Sequence, residues 1–483
     1  MTRIVVAGNG MAGTRFVQEL RARDERARIT VLGAERASAY NRVLLSSVLA
    51  GSLSGVDIEM VPSAWYAAED VDLRTGTTVT QIDRQERTVH TSTGDVLGYD
   101  HLVLATGSRP WVPPIDGLTR PGGELADGVV AFRTLADCKA IVEQACGAAR
   151  VAVLGGGLLG LEAARGLAGR NVAVEVIQAA GWLMQGQIDR DGGRVLARTF
   201  QSLGVHVRVG ALTTRYESDP GRRALLLDDG TMIPADLVVV ACGVRPDTSL
   251  AASAGLPVGN GVLVDDRLTS VGDARIHAIG DCAEHAGRVY GLVAPAWEQA
   301  RVLAEVLTGG ATRYAGSPVV TRLKAADIDL ATMGDADVDD FDEQLEVLRF
   351  LNPSSGTYQK VVIRDERIVG AILLGSTETV GTVTQLFDRG QVAPLDRRAL
   401  FFPGFAATGA AAVDPADLPD EHQVCQCNGV SCGQIRSACA DGARTVGDVA
   451  AITRATTGCG TCGDTVAGIV SGAHRHAVEE VAA

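Results

Sequence analysis

The sequence predicts an α/β protein in which two Rossmann-like units, one inserted in the other, precede an α+β domain and a small cysteine-rich module. Three observations carry this prediction. A glycine-rich turn between an apolar strand and a helix occurs twice, and each unit closes on an apolar strand ending in Gly-x-Arg-Pro. A group of closely spaced cysteines lies near the C-terminal end. The strand–helix–strand order is typical of a parallel sheet.

The first unit starts with a predicted strand at 4–7, the turn GNGMAG at 8–13 and a helix over 14–23. A second strand is predicted at 29–32, and the closing strand with its Gly-x-Arg-Pro pattern covers 101–110. In such a turn the first glycine makes the bend, the second admits a pyrophosphate and the third lets helix pack on strand. The N–H groups of the helix N-terminus then attract the anion.

The same order returns in the second unit. A strand at 151–154 leads into GGGLLG at 155–160, a helix start over 161–168 and a strand at 172–177. The closing strand and its Gly-x-Arg-Pro pattern lie at 237–246. One such turn is weak evidence for nucleotide binding, but two in this order are specific. The sequence therefore predicts two dinucleotide-binding units.

An apolar run at 276–281 follows the second unit, which predicts that this unit is inserted into the first. Strand-like segments separated by a charged turn, without a glycine fingerprint, predict an α+β domain with packing or interface duties. Such a domain allows a homodimer. The expected boundaries are 1–112 with 244–316 for the first unit, 113–243 for the second, 317–402 for the α+β domain, 403–423 for a linker, 424–472 for the cysteine module and 473–483 for a tail.

Composition restricts the function classes. A chain of 483 residues is long enough for about three domains. The net charge of -14 argues against nucleic acid as a partner and favours a basic docking face. No apolar stretch approaches the roughly 20 residues of a membrane helix, and the N-terminus lacks the features of a signal peptide. We therefore expect a cytoplasmic protein that does not enter membranes.

Three polar residues at strand ends are candidate ligand contacts. Glu35 follows Gly13 at about the 20-residue spacing of a carboxylate that holds ribose hydroxyls. Gln178 stands at the comparable place in the second unit, where its neutral amide leaves NADH and NADPH both open. We favour NADH because no Arg or Lys follows closely. Asp281 can accept hydrogen bonds from the ribityl hydroxyls of a flavin, although an ordinary helix cap is the alternative.

Six of the ten cysteines fall between Cys425 and Cys462. In a cytosolic protein this clustering indicates a metal site rather than a disulfide framework. Thiolates in a C-x-C and C-x2-C pattern suit zinc or an iron–sulfur cluster; the tight C-x-C and the flanking glycines favour the cluster. The expected ligands are Cys425, Cys427, Cys459 and Cys462. The remaining cysteines are expected to be bystanders, namely Cys432 and Cys439 between the pairs and Cys138, Cys146, Cys242 and Cys282 as small core residues.

The segments GNGMAG, LVLATGSRP, GGGLLGLEAA, ACGVRP and IHAIGDCAE resemble the two-dinucleotide-binding flavoprotein family. More narrowly, AYNRVLLSSVLAG, TRLKAADIDLATMGD and VCQCNGV…GCGTC resemble the N-terminal part of assimilatory nitrite reductase large subunits and the electron-transfer subunit of assimilatory nitrate reductases. The resemblance covers nearly the whole chain. The cysteine module is similar to the bacterioferritin-associated ferredoxin fold, a small helical [2Fe-2S] module.

This resemblance implies site residues. FAD would be bound by Gly8, Gly10, Gly13, Glu35, Arg42, Thr106, Gly107 and Asp281. NAD(P)H would be bound by Gly155, Gly157 and Gly160. Glu162 would lie near the nicotinamide, and the alternative is an ordinary glutamate on a helix surface.

Two departures from related proteins bear on the electron path. Related ferredoxin and rubredoxin reductases often carry a lysine near the flavin where this chain has Ser47. Disulfide reductases of the superfamily carry a redox cysteine pair near the flavin, but no cysteine precedes Cys138 here. We therefore expect electrons to pass from NAD(P)H through FAD to the [2Fe-2S] cluster and then to an external acceptor.

The expected acceptor is a protein, namely the catalytic subunit of a molybdenum nitrate reductase. Nitrite reductase large subunits continue into siroheme and [4Fe-4S] sequence, whereas no cysteine follows Cys462, so we do not expect this chain to reduce nitrite itself. A ferredoxin- or rubredoxin-type reductase is the alternative enzyme. A redox-sensing, iron-handling protein is the alternative from another class.

Overall fold

The computed structural model describes residues 1–219, 222–325, 328–375, 379–402, 415–425, 428–456 and 462–482. The chain divides into two compact units. Unit 1 comprises Met1–Gly186 and Phe200–Val319, and unit 2 comprises Gln187–Thr199 and Val320–Ala483.

The first part of unit 1 contains, in chain order, β1 (Arg3–Ala7), α1 (Met11–Arg21), β2 (Arg28–Gly33), α2 (Leu45–Ala50), α3 (Ser63–Ala68), β3 (Val71–Thr75), β4 (Val79–Asp83), β5 (Thr88–Thr91), β6 (Val96–Gly98), β7 (His101–Leu104) and β8 (Ser108–Pro110). The chain continues through β9 (Val129–Ala131), α4 (Leu135–Ala145), β10 (Arg150–Leu154), α5 (Leu158–Ala168), β11 (Ala173–Gln178), α6 (Arg190–Ser202, which begins in unit 2), β12 (Val205–Val209), β13 (Thr213–Asp219), β14 (Arg222–Leu227), β15 (Met232–Pro234), β16 (Leu237–Val240) and β17 (Val244–Pro246). The last elements of unit 1 are α7 (Ser249–Ser253), β18 (Val262–Val264), β19 (Ile276–Ala278), β20 (Ala283–His285) and α8 (Val293–Leu307).

Two five-stranded parallel sheets organise unit 1. The first has the order β19-β7-β1-β2-β3, and Ile4 pairs in register with Ile29 and His101. The second has the order β12-β11-β10-β16-β9, and Val151 pairs with Val174 and Leu237. The central strand of each sheet, β1 or β10, is buried along most of its length because helices of an α/β unit cover both faces.

The edge strands show how the two sheets are connected. Strand β19 is an edge strand of the first sheet, but it follows every strand of the second sheet in the chain. Those strands are β9, β10, β11, β12 and β16. The predicted α/β class, with one unit inserted in the other, is therefore confirmed. Small antiparallel sheets accompany the two units, with the orders β4-β5-β6 and β13-β14-β15. The domain boundaries stay predictions.

Unit 2 contains β21 (Val320–Ala325), β22 (Ile328–Gly334), β23 (Glu346–Asn352), β24 (Thr357–Arg364), β25 (Arg367–Leu374), α9 (Val380–Asp388), β26 (Gln423–Cys425), β27 (Val430–Ser431), α10 (Cys432–Ala440), α11 (Val446–Thr453) and α12 (Gly463–Ala482). Strands β21 to β25 form one antiparallel sheet in the order β21-β22-β25-β24-β23. Asp365 and Glu366 have positive φ in the charged turn between β24 and β25, as the favoured two-residue hairpin turns require.

The segment Gln187–Thr199 groups with unit 2, although the predicted boundaries place it inside 113–243. Asp189 accounts for this difference, because it accepts a hydrogen bond from the Tyr358 hydroxyl and lies 3.5 Å from the Lys360 ammonium. Lys360 is only 2 % exposed. A buried ammonium is strongly destabilised without charged partners, so this contact ties the segment to β24.

The C-terminal module is mostly helical and has its own apolar core. Helices α10 and α11 each begin at a capping box, made by Ser431 with Gln434 and by Thr445 with Asp448. The core already includes Leu418, upstream of the predicted start at 424. Residues 403–414 of the predicted linker lie outside the described part of the chain, and the predicted tail continues α12 as far as Ala482.

Among the described residues, no helix is long and apolar enough to cross a membrane.

Candidate functional site

The first glycine turn leaves the N-terminus of helix α1 uncovered. Gly8 has φ +124°, and a Cβ there would lie 2.0 Å from the carbonyl oxygen of Ala105. A Cβ on Gly13 would lie 2.1 Å from the Gly8 carbonyl oxygen, so α1 packs directly on the turn. Gly10 caps α1 without a side-chain hydrogen bond, and no described atom lies within 4 Å of a Cβ built on it. This leaves the helix N-terminus available to a pyrophosphate.

Asn9, inside this turn, offers a further donor. Its Oδ1 accepts hydrogen bonds from the Tyr66 hydroxyl at 3.0 Å and the Thr14 hydroxyl at 3.3 Å. Its Nδ2 is buried without a hydrogen-bond partner among the described atoms. An unsatisfied buried donor is costly, and a phosphate or ribose oxygen would satisfy it. The turn therefore fits a bound dinucleotide.

Glu35, predicted to hold a ribose, lies just beyond β2 in a small polar cluster. It pairs with the Arg42 guanidinium and accepts a hydrogen bond from the Tyr40 hydroxyl at 2.7 Å. The Arg42 guanidinium also stacks 4.9 Å from the centre of the Tyr40 ring. Burial, with a further contribution from Glu35, raises the pKa of Tyr40, which keeps its hydroxyl protonated. The cluster thus fixes a carboxylate at the strand end.

Asp281, predicted to contact a flavin, lies beside Ser108 and Arg133. The Ser108 hydroxyl and Arg133 Nη2 each donate to Asp281 Oδ2 at 2.8 Å. Thr106 and Gly107 belong to the adjacent turn, where Gly107 has φ +72° and the Thr106 hydroxyl donates to the Asp247 carbonyl at 2.8 Å. Asp281 is therefore held by side chains from distant parts of the chain, which an isolated helix cap would not require.

Sequence reasoning missed Arg133 and Tyr40. Arg133 also places its carbonyl oxygen 3.2 Å from Arg42 Nη1, so it connects the Glu35 cluster with Asp281. A weak signal was present, because Arg133 comes shortly after the buried strand β9 and just before Thr134, which caps α4. Ligand contacts in parallel α/β sheets concentrate at such carboxyl ends of strands.

The second glycine turn repeats the geometry of the first. Gly155 has φ +108°, and a Cβ there would lie 2.4 Å from the Ala241 carbonyl oxygen. A Cβ on Gly160 would lie 2.0 Å from the Gly155 carbonyl oxygen. Gly157 caps α5 without a side-chain hydrogen bond, and its Cβ position has no described atom within 4 Å. This helix N-terminus can also accept a pyrophosphate.

Two further predicted residues lie near this turn: Gln178 contacts it, and Glu162 follows it in the chain. The Gly156 N–H donates to Gln178 Oε1 at 2.7 Å, at the carboxyl end of β11. Glu162 is 6 % exposed on α5, so it is not an ordinary surface glutamate. Its place near a nicotinamide stays a prediction.

The cysteine module places two of the four predicted ligands in one core. Cys425 and Cys462 are buried in the same apolar cluster, while Cys427 and Cys459 lie outside the described residues. Asn428 Nδ2 donates to the Arg454 carbonyl at 2.6 Å. This bond joins the stretch that follows Cys427 to the stretch that precedes Cys459.

Most other cysteines are protected thiols. Burial raises the pKa of Cys138 and of Cys242 to about 11, and it also raises the pKa of Cys282, Cys432 and Cys439. A raised pKa suppresses the reactive thiolate. The expectation for Cys146 was wrong, because this residue is exposed at the end of α4, where the helix meets solvent.

Three family descriptions match consecutive parts of the chain. "Pyridine nucleotide-disulphide oxidoreductase" matches residues 2–300, "Rubredoxin NAD+ reductase C-terminal domain" matches 319–391 and "BFD-like [2Fe-2S] binding domain" matches 423–471. The matches follow the order of the predicted segments.

Among known proteins, the chain is 37% identical to a nitrite reductase [NAD(P)H] of Bacillus subtilis (strain 168), over 95% of this chain and 56% of that protein. It is 35% identical to the assimilatory nitrate reductase electron transfer subunit of the same organism, over 95% of this chain and 58% of that protein. The chain thus spans about half the length of the curated relatives it matches.

Among solved structures, the chain resembles one titled as the covalent putidaredoxin reductase–putidaredoxin complex. The TM-score is 0.73 and the sequence identity 25%, and the match covers 84% of this chain and 99% of that one.

Proposed function

Because this chain belongs to the pyridine nucleotide-disulphide oxidoreductase family, we propose that it takes electrons from NAD(P)H and delivers them to the catalytic subunit of an assimilatory nitrate reductase. The chain is an oxidoreductase, and its cofactors are FAD, NAD(P)H and a [2Fe-2S] cluster. When bound, these cofactors supply hydride acceptance and one-electron transfer. The observation that carries the proposal is the presence of two open dinucleotide turns and a [2Fe-2S] module in one chain.

In this proposal the first unit holds the flavin. The N-terminus of α1 binds the pyrophosphate, Glu35 accepts hydrogen bonds from the adenosine ribose, and Asp281 accepts them from the ribityl chain. The charge pair between Glu35 and Arg42 supports this assignment, because it orients the carboxylate. Arg133 positions Asp281 by direct hydrogen bonding.

The second unit binds the electron donor. The N-terminus of α5 receives the dinucleotide pyrophosphate, and Glu162 lies near the nicotinamide. The two turns have equivalent geometry, which supports this assignment. In each turn, a Cβ on the third glycine (Gly13 or Gly160) would lie closer than van der Waals distance to a backbone carbonyl oxygen.

The cluster ligands in this proposal are Cys425, Cys427, Cys459 and Cys462. The name of the Bacillus subtilis electron transfer subunit supports nitrate reductase as the acceptor. The net charge of -14 favours a basic docking face on that partner. We place the reaction in the cytoplasm.

A rubredoxin- or ferredoxin-type protein is the second candidate acceptor. Residues 319–391 match the C-terminal domain of rubredoxin NAD+ reductase, and the similar solved structure contains a reductase with its putidaredoxin. Nitrate-dependent oxidation of NADH in the presence of a purified nitrate reductase catalytic subunit would favour the first candidate. Faster electron transfer to rubredoxin than to that subunit would favour the second.

The relay is tested with Cys427→Ala in the full-length holoprotein. Under anaerobic conditions NADH should still bleach the flavin absorbance, but the rate of acceptor reduction should fall at least about 100-fold, and the electron-spin signal of the reduced cluster should be lost. Cys439→Ala, in the core of the same module, is the matched control and should keep both activities.

Normal acceptor reduction by Cys427→Ala would place the cluster off the electron path and contradict the proposal. A purified wild-type protein that is colourless and contains zinc would contradict it as well.

A further inference from the structure

Gln178 is oriented by its contact with the second glycine turn. The Gly156 N–H donates to the Gln178 side chain at 2.7 Å. Because a backbone N–H can only donate, the side-chain atom that faces it must be the carbonyl oxygen. The Nε2 amide group, with two N–H donors, is therefore left to face away from the turn.

Packing holds this orientation. A Cβ built on Gly156 would lie 2.5 Å from the Leu183 side chain and 3.1 Å from Gln178 Cβ, so Gln178 lies directly against the turn. The residue ends strand β11, where a dinucleotide-binding unit commonly places the carboxylate that accepts hydrogen bonds from the adenosine ribose. A donor thus stands where an acceptor is usual.

The charge at this strand end decides which dinucleotide is accepted. A carboxylate repels the 2′-phosphate of NADPH, whereas the neutral amide of Gln178 can donate either to that phosphate or to the 2′-hydroxyl of NADH. Arg208, on the neighbouring strand β12, pairs with Glu175 at 2.9 Å, so its charge is already balanced within the sheet. These residues therefore provide neither a strong repulsion of the phosphate nor a strong attraction.

We propose that Gln178 makes the adenosine-ribose site accept both NADH and NADPH, with affinities that differ by less than about tenfold. The proposal rests on the proposed function only in so far as the second unit binds the electron donor. It differs from the sequence-based expectation, which left both dinucleotides open and favoured NADH because no Arg or Lys follows Gln178 closely.

The first test is a calorimetric titration of the wild-type holoprotein with NAD+ and with NADP+. The two dissociation constants should agree within about tenfold. A larger preference for either dinucleotide would overturn the proposal. This measurement needs no electron acceptor. Its result therefore tests the dinucleotide proposal independently of the proposed electron relay, and either proposal can fail without the other.

The second test is Gln178→Glu, which keeps the side-chain size and can still accept the Gly156 hydrogen bond. The affinity for NADP+ should fall at least about tenfold more than the affinity for NAD+, because the new carboxylate faces the phosphate. Gln144→Glu is the matched control, since it makes the same change at an exposed position of α4, and it should leave the affinity ratio unchanged.

If Gln178→Glu changed the affinities for NAD+ and NADP+ equally, this residue would not contact the 2′ position of the ribose, and the proposal would be overturned. If that variant does not fold, the wild-type ratio alone decides.

Discussion

The two glycine turns have the same backbone but different chemistry at the neighbouring strand end. A Cβ on Gly13 would meet the Gly8 carbonyl oxygen at 2.1 Å, and a Cβ on Gly160 would meet the Gly155 carbonyl oxygen at 2.0 Å. This repeated clash shows that helix-to-turn packing sets the shape of both loops. That shape provides a pyrophosphate site and carries no information about which dinucleotide binds.

The two sites differ in the residue at the strand end. Glu35 is a charged acceptor held by Tyr40 and Arg42, whereas Gln178 is a neutral group held by the Gly156 N–H. FAD has free ribose hydroxyls on its adenosine, so a carboxylate suits it. NAD(P)H exists with and without a 2′-phosphate, so a neutral donor suits a site that binds both.

The largest expected effect comes from filling the third glycine of each turn. Gly13→Ala should abolish FAD retention, and Gly160→Ala should keep FAD but lower dinucleotide affinity at least about 100-fold, because the opposing atom is backbone and cannot move aside. Flavin content from absorbance and calorimetry with NAD+ and NADP+ measure the two effects.

Gly181→Ala is the control for this pair, because no described atom lies within 4 Å of its Cβ position. It should retain both ligands. Simultaneous loss of FAD and dinucleotide in Gly160→Ala would contradict the view that the two turns act independently.

A smaller effect is expected from making the first strand end resemble the second. Glu35→Gln leaves Arg42 without its charged partner and removes a carboxylate oxygen from the ribose site. The dissociation constant of FAD should rise about tenfold, as measured by fluorescence titration of the deflavinated protein. Glu86→Gln, at an exposed position of the same unit, should leave it unchanged. An unaltered FAD affinity in Glu35→Gln would mean that this carboxylate is not a ribose ligand.

The smallest expected effect concerns acid stability, in which the two five-stranded parallel sheets differ. His101 occupies the register position in β7 that Leu237 occupies in β16, and it lies 3.1 Å from the buried His277 of β19. Burial, followed by repulsion from His101, lowers the pKa of His277 to about 3. The first sheet therefore contains an acid-sensitive pair where the second is apolar.

The sign of this effect follows from proton binding. Between about pH 6.5 and pH 3 the unfolded chain binds a proton at His277 that the folded chain does not, so stability falls as the pH is lowered. His277→Gln should reduce the slope of unfolding free energy against pH by up to about 1.4 kcal/mol per pH unit in this window. Denaturant titrations at several pH values measure it.

His206→Gln, on the exposed face of β12 in the second sheet, should keep the wild-type slope. An unchanged slope in His277→Gln would show that burial of this imidazole does not govern acid stability.

Local sequence patterns were enough to predict the two turns, their flanking strands and the insertion of one unit in the other. Glu35, Gln178 and Asp281 could be located because each lies at or near the end of a predicted strand. Local patterns gave only a weak signal for Arg133 and none for Tyr40, because each acts through partners on other elements.

Two further features depend on tertiary contacts. The contact between Lys360 and Asp189 joins β24 to a segment from the middle of the chain, and no local pattern indicated it. Cys146 was expected in the core because cysteine is usually buried, but it lies at a helix end that faces solvent.

The sequence by itself determined the fold class, because glycine turns act through local backbone geometry and spacing, and its motifs and family resemblance predicted the cofactors and the electron path. Only the tertiary structure decided which way the Gln178 amide points, that Glu162 is buried, and that Arg133 joins Asp281 to the Glu35 cluster. Orientation and burial depend on neighbours brought together by folding, and hydrogen bonds form only where donors and acceptors meet.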